Sequence, residues 1–184
     1  MSEADWNDKV RILATQDWAR VAQTERELAA AGSAGMEAVL QGLTDPDPTI
    51  RRACARFMDH YGTDQSISGL LRAIKDPVPK VRREAVHSLS CNRCKEEALC
   101  VDLVPILAEV LDTEENVRVR CEAVFGLHQL PPDERIPPIL RKLQEHETDA
   151  RLLKLTHYAR KHHDPEYRRE VDEAARHRAS NSGK

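Results

Sequence analysis

From Met36 the apolar residues recur at spacing i, i+3, i+4, i+7, as Met36, Val39, Leu40 and Leu43. The same spacing returns at Ile67, Leu70, Leu71 and Ile74, at Leu103, Ile106, Leu107 and Val110, and at Ile136, Ile139, Leu140 and Leu143. Each set forms one stripe of an α-helix. Behind each lies a second helical pattern, and four such segments align without gaps: "IRRACARFM" from Ile50, "VRREAVHSL" from Val81, "VRCEAVFGL" from Val119 and "ARLLKLTHY" from Ala150. Apolar residues stand at their first, sixth and ninth positions, with Ala85 and Ala123 at the fifth, which puts them on one side of a helix. The first residues, Ile50, Val81, Val119 and Ala150, are expected at equivalent interior places. Each is followed by an arginine: Arg51, Arg82, Arg120 and Arg151. No run keeps a period of two, so no strand is predicted.

The segments start 31, 38 and 31 residues apart, and each unit holds two helices. In the links "TDPDPT" and "KDPVPK", Pro48 or Pro79 can open the second helix, where the missing N–H does no harm, and Asp47 can cap it. Helix pairs at this period cannot bury their apolar faces alone and must stack on one another. The predicted fold is all-α, a right-handed α-solenoid of about four helix pairs, spanning 34–64, 65–100, 101–134 and 135–163. Residues 1–33, with Trp6, Val10, Leu13, Trp18, Val21 and Leu28, read as an N-terminal helical cap. A charged helix over 164–178 closes the other end, and 179–184 read as a flexible tail.

These residues resemble HEAT repeats, in particular the short bacterial HEAT-like type found also in phycobilin lyases, whose signature is Asp-Pro, a short gap, then Val-Arg and an alanine-rich helix. The likeness covers about 34–163. It is strongest in the first two copies and departs in the fourth, where Lys154 replaces the small residue. "EENVRV" also departs, with a longer turn and no proline. The resemblance implies a protein-interaction scaffold with the second helices lining a concave surface. It transmits no catalytic residue.

Composition narrows the classes further. Aromatics are 4% and charged residues 32% of the 184 residues, and the net charge is −3, which speaks against a basic nucleic-acid binder. No stretch has the ~18 apolar residues of a membrane helix, and the expected compartment is the cytoplasm. There the five cysteines are expected as thiols, metal ligands or redox centres rather than a disulfide frame.

Three of the five fall in "HSLSCNRCKEEALC", where the connection between repeats is lengthened. If the helix continues, His87 and Cys91 lie at about 240° and 280° from Val81, neighbours on a surface away from the core stripe. With Cys94 and Cys100 they form a candidate structural Zn²⁺ site, H-x3-C-x2-C-x5-C, able to close tetrahedrally. Plain thiols and redox chemistry are the alternatives. Arg93 and Lys95 flank Cys94 and could lower its pKa, yet no βαβ setting for a Cys-x-x-Cys oxidoreductase exists. Cys54 and Cys121 read as small packing residues.

Beyond the core stripe, Arg52, Arg56, Lys80, Arg83 and Arg118 could align into a basic ridge that docks an acidic segment of a protein partner, although Glu84 and Glu122 dilute it. The single His146–Glu147 pair does not match the repeated pairs of iron-binding HEAT-like hydroxylases. No Ser/His/Asp set, phosphate loop or paired-carboxylate motif has a fitting context. No catalytic residue is assigned. The expected function is a non-catalytic scaffold, and the alternative is an enzyme or enzyme subunit with a lyase-like or thiol redox role.

Overall fold

The computed structural model describes residues 3–95 and 97–182. Its helices are α1 (Glu3–Ile12), α2 (Trp18–Ala30), α3 (Ser33–Gly42), α4 (Pro48–Tyr61), α5 (Ile67–Ala73), α6 (Pro79–Ser90), α7 (Leu103–Thr113), α8 (Val117–Gln129), α9 (Ile136–His146), α10 (Ala150–His163) and α11 (Pro165–Ser182), with a 3-10 turn at Asp64–Ser66 before α5. No strand occurs among the described residues, and the fold is an all-α solenoid. The chain divides into two compact units, Met1–Asp102 and Leu103–Lys184.

In the first unit α3 packs on α1 and α2, α4 on α3 and α6, and α5 on α6. Gly42 makes the closest approach: a Cβ there would stand 2.5 Å from Cys54 Sγ and 2.7 Å from Val10 Cγ1, so only glycine lets α1, α3 and α4 meet. The turn between α2 and α3 passes through Gly32 at φ 61°, a conformation side chains disfavour. In the second unit α8 packs on α7 and α10, and α10 on α9 and α11.

Every second helix enters through the same device. An acid opens the turn and its carboxylate accepts the backbone N–H two residues on: Asp45 from Asp47, Asp76 from Val78, Glu114 from Asn116, and Glu147 from Asp149, all within 2.7–2.8 Å. Asp47, Asn116 and Asp149 then cap α4, α8 and α10, while Pro48 and Pro79 occupy the first turn of α4 and α6.

These acids correct the register of the fourth copy. Ile50, Val81 and Val119 are buried five residues after their acid, but Ala150 is exposed. The residue five after Glu147 is Leu152, fully buried, and α10 buries Thr156, Ala159 and His163 behind it. The fourth copy therefore begins at Leu152, because cap and turn set where a helix starts more firmly than one aligned arginine.

Three of the four repeated arginines, Arg51, Arg82 and Arg120, are half-buried, while Arg151 is exposed, as the shifted fourth register requires. Arg51 Nε and Nη2 donate to the two oxygens of Asp76 at 2.6 and 3.0 Å, while Nη1 reaches the carbonyls of Asp45 and Pro46. Arg51 thus reads its own turn and the acid of the next. Arg82 likewise donates to the carbonyls of Asp76 and Pro77, and Arg120 Nη1 lies 2.6 Å from Glu147 Oε2.

Past the repeats, α11 runs to Ser182, beyond the end expected at 178. Within it the Arg176 and Arg178 side chains donate to carbonyls one turn back. Residues 183 and 184 lie outside the described residues.

Candidate metal centre at the end of the second repeat

Asp59 sits near the end of α4 and is 6% exposed. Helix α6 stops at Ser90, and Cys91 caps it in an extended conformation, its N–H bonded to the carbonyl of His87 at 2.8 Å. The chain then turns back on itself. The Lys95 side chain, 1% exposed, donates to the Cys91 carbonyl at 2.8 Å and so holds the turn shut.

This path overturns the expectation that Cys91 shares an exposed helix surface with His87. Cys91 is buried, because leaving the helix at that residue swings its side chain toward α4. There one carboxylate oxygen of Asp59 and the sulfurs of Cys91 and Cys94 all lie within 4.8 Å of one another. His87 Nε2 stands 3.5 Å from Asp59 Oδ2 and joins the group through the carboxylate. Cys100 takes a different place: it is exposed, and its backbone N–H donates to Asp64 Oδ1 at 2.8 Å.

Asp59 escaped the sequence reading. It follows two buried residues, Phe57 and Met58, and a charge inside an otherwise buried run was the available signal. Its partners are about thirty residues away in sequence.

The electrostatics are those of a buried, partly balanced cluster. Burial pushes the Asp59 carboxyl upward, but the His87 contact and the charge of Lys95 outweigh it and hold the group below the usual range. Burial lowers the Lys95 pKa, with Asp59 opposing. Cys94 is pushed up to about 11, first by the Cys91 thiol, then by burial and Asp59. The expected activation of Cys94 by its basic neighbours is therefore reversed, since Lys95 points at the Cys91 carbonyl. Cys54 and Cys121 behave as packing groups, with burial raising Cys54 to about 12 and Cys121 also upward.

One feature of the Asp59 carboxylate is unusual. Oδ1 is buried with no hydrogen-bond donor, and Lys95 Nζ, at 4.0 Å, is too distant to serve. Beside the cluster opens a groove of about 1080 Å³, lined among others by Leu28, Met36, Phe57, Tyr61, Cys94 and Leu99.

The five basic positions proposed as a docking ridge divide into two sets. Arg52 pairs with Glu84 at 3.1 Å. Arg56 donates to the Leu13 carbonyl at 2.9 Å, lies 4.0 Å from Glu25 and covers the Trp18 ring at 5.4 Å. Both are committed within the first unit. Lys80 and Arg118 are exposed and Arg83 is half-buried. Two aromatic side chains of the second unit, Phe125 on α8 and Tyr158 on α10, are 37% and 55% exposed. Each stands six residues after the buried residue that opens its helix, Val119 or Leu152, so they occupy equivalent places.

Paired helices, capped turns and an arginine repeated from turn to turn define a helical-repeat protein of the α-solenoid class. The sequence model for HEAT repeats matches residues 2–90 and 36–104, and the chain belongs to that family. The match includes α1 and α2, so the segment expected as a separate cap falls within it. Among solved structures, the chain is similar to an engineered protein at 21% identity, TM-score 0.51, covering 86% of this chain and 78% of that one. It is also similar to a designed armadillo repeat protein in complex with the peptide (KR)4, at 16% identity, TM-score 0.53, covering 92% and 87%. Comparison with curated proteins found no match. No described helix is long and apolar enough to cross a membrane.

Proposed function

We propose that this protein is a non-catalytic HEAT-repeat scaffold that binds a protein partner on the face of its second helices, with a zinc ion fastening the 91–102 connection. The observation that carries the partner reading is the exposure of Phe125 and Tyr158 at equivalent places on α8 and α10. Large aromatic side chains held on rigid helices are what interface centres use, and an exposed pair in one register offers such a surface. Exposed Arg118 lies on the same helix as Phe125 and suits a partner with acidic groups beside its apolar contact. The designed armadillo relative, which holds a peptide, supports the choice of a peptide-like ligand for this architecture. Thiol redox catalysis is disfavoured by the Cys94 thiol, which is raised rather than activated.

The test is affinity capture with the intact chain, compared with Phe125→Ala/Tyr158→Ala and, separately, Arg52→Glu/Arg83→Glu. The aromatic pair variant should lose the partner while keeping its helical circular dichroism. Undiminished capture by that variant would refute the aromatic face. Loss only with the arginine variant would restore the basic ridge.

A further inference from the structure

We propose that the zinc ligands are Asp59, Cys91 and Cys94, with Cys100 outside the shell and a fourth position left open toward the neighbouring groove. This rests on the zinc reading above and deepens it by naming the donors and the state of the site.

Three observations converge. The carboxylate oxygen and two sulfurs already lie within 4.8 Å of one another. Tetrahedral Zn²⁺ with bonds of about 2.0–2.3 Å needs its donors roughly 3.5–3.8 Å apart, so a modest inward closure completes three corners. The second observation is the orphaned Asp59 Oδ1, buried without a donor. An unsatisfied buried carboxylate oxygen is costly, and a cation there supplies what no N–H does. His87, at 3.5 Å from Oδ2, occupies the other oxygen and aims Oδ1 away from itself, the role of an outer partner that orients a ligating carboxylate.

The third observation is charge. Two thiolates and a carboxylate around a divalent ion leave one negative charge in excess. Lys95, with its ammonium buried 4.0 Å from Asp59 Oδ1 and anchored on the Cys91 carbonyl, cancels it. Mixed sulfur and oxygen donors suit Zn²⁺ over the hard cations Ca²⁺ and Mg²⁺. Each bound ion displaces the thiol protons of Cys91 and Cys94 to solvent, with no change of oxidation state.

The open corner follows from geometry. Cys100 is tied by its backbone to Asp64, and among the described residues the donor set holds only Asp59, Cys91 and Cys94. Cys94 also lines the groove, so a fourth ligand reaches the ion from the groove side. Water fills it by default, and an imidazole or thiolate from outside can replace water. A site with three protein donors and one exchangeable position exchanges its ligand, as a closed site cannot.

The experiment uses the full chain, purified reduced and without any partner, titrated with Zn²⁺ and with Co²⁺ as a spectroscopic probe. X-ray absorption at the zinc edge counts the sulfur donors, and imidazole is added to the Co²⁺ form. The proposal expects one ion per chain, two sulfur donors, and a change in the Co²⁺ ligand-field spectrum with imidazole. Cys94→Ser, at an exposed position, and Asp59→Asn should each weaken binding by more than about tenfold, while Cys100→Ser binds as the parent does. Three sulfurs, or loss of the metal in Cys100→Ser, would overturn the proposal and leave a zinc site of the spacing first read from the sequence. No metal uptake by the parent would remove both.

Discussion

The two units solve one problem, holding consecutive repeats together, with the same pair of residue types and unequal geometry. In the first, Arg51 grips Asp76 through two aligned hydrogen bonds and spends its remaining nitrogen on two turn carbonyls. In the second, Arg120 lies 2.6 Å from Glu147 without hydrogen-bond alignment, and Arg120 Nε is buried with no partner. The turns account for the difference. In the Asp-Pro-Asp-Pro turn the carbonyls of Asp45 and Pro46 receive the arginine. The longer Glu147 uses Oε1 to accept from Thr148 and Asp149, leaving only the other oxygen for Arg120. A proline turn thus does more than open a helix: it builds half of an arginine receptor.

The sharpest way to break this comparison is to delete the two arginines. Arg51→Ala strands Asp76 in a mostly buried site and should cost about 3–5 kcal/mol in urea melts. Arg120→Ala removes a poorly aligned contact and should cost about 1–3 kcal/mol. Equal losses would mean that alignment is immaterial here.

A control for packing alone is the pair Leu89→Ala and Leu127→Ala, one from each unit, both fully buried and both eight residues after the opening valine. Each should cost about 2–5 kcal/mol. A large difference between them would place the asymmetry in the cores and not in the arginine contacts.

Acid should separate the units next. Asp76 and Glu147 are held below the usual carboxylate range: burial pushes each up, but hydrogen bonds and the paired arginine more than compensate. Their contribution is complete above the unfolded carboxylate pKa and is lost as pH falls through the lowered folded value. His163 adds an earlier loss in the second unit alone. It is buried against the Leu127 carbonyl at 2.9 Å and has His162 and His128 beside it, and burial together with those neighbours lowers its pKa. The unfolded imidazole therefore binds more protons, and its stabilisation, full above about pH 6.5, declines as pH falls below that value. Between pH 7 and 5, with the intrinsic slowing of amide exchange in acid divided out, protection at α10 should fall while protection at α4 stays level. His163→Gln should flatten the α10 profile, and an unchanged profile in that variant would assign the pH dependence elsewhere.

The smallest effect expected is at Arg83→Ala, within about 0.5 kcal/mol. Arg52→Ala should lie below about 1 kcal/mol, since its pairing with Glu84 is 42% exposed on the arginine side. A loss comparable with that of Arg51→Ala would show that the outer arginines also carry the stack.

Much of the architecture was legible in the residues themselves. The helix pairs, their repetition and the proline entries to α4 and α6 follow from a period of 3.6 and from backbone chemistry that acts within one turn. Those are local properties, set by neighbours three or four positions away. The site was legible only in part. Cys91 and Cys94 are close in sequence and close in space, but Asp59 entered, Cys100 left, and Arg52 and Arg56 found internal partners only through tertiary packing. Spacing along one helix could not tell that α6 would stop at Ser90, because that depends on where Lys95 finds burial and a carbonyl. Periodicity determines that a helix has an apolar side, whereas its partner, and the ends brought together there, are chosen by contacts across thirty residues or more.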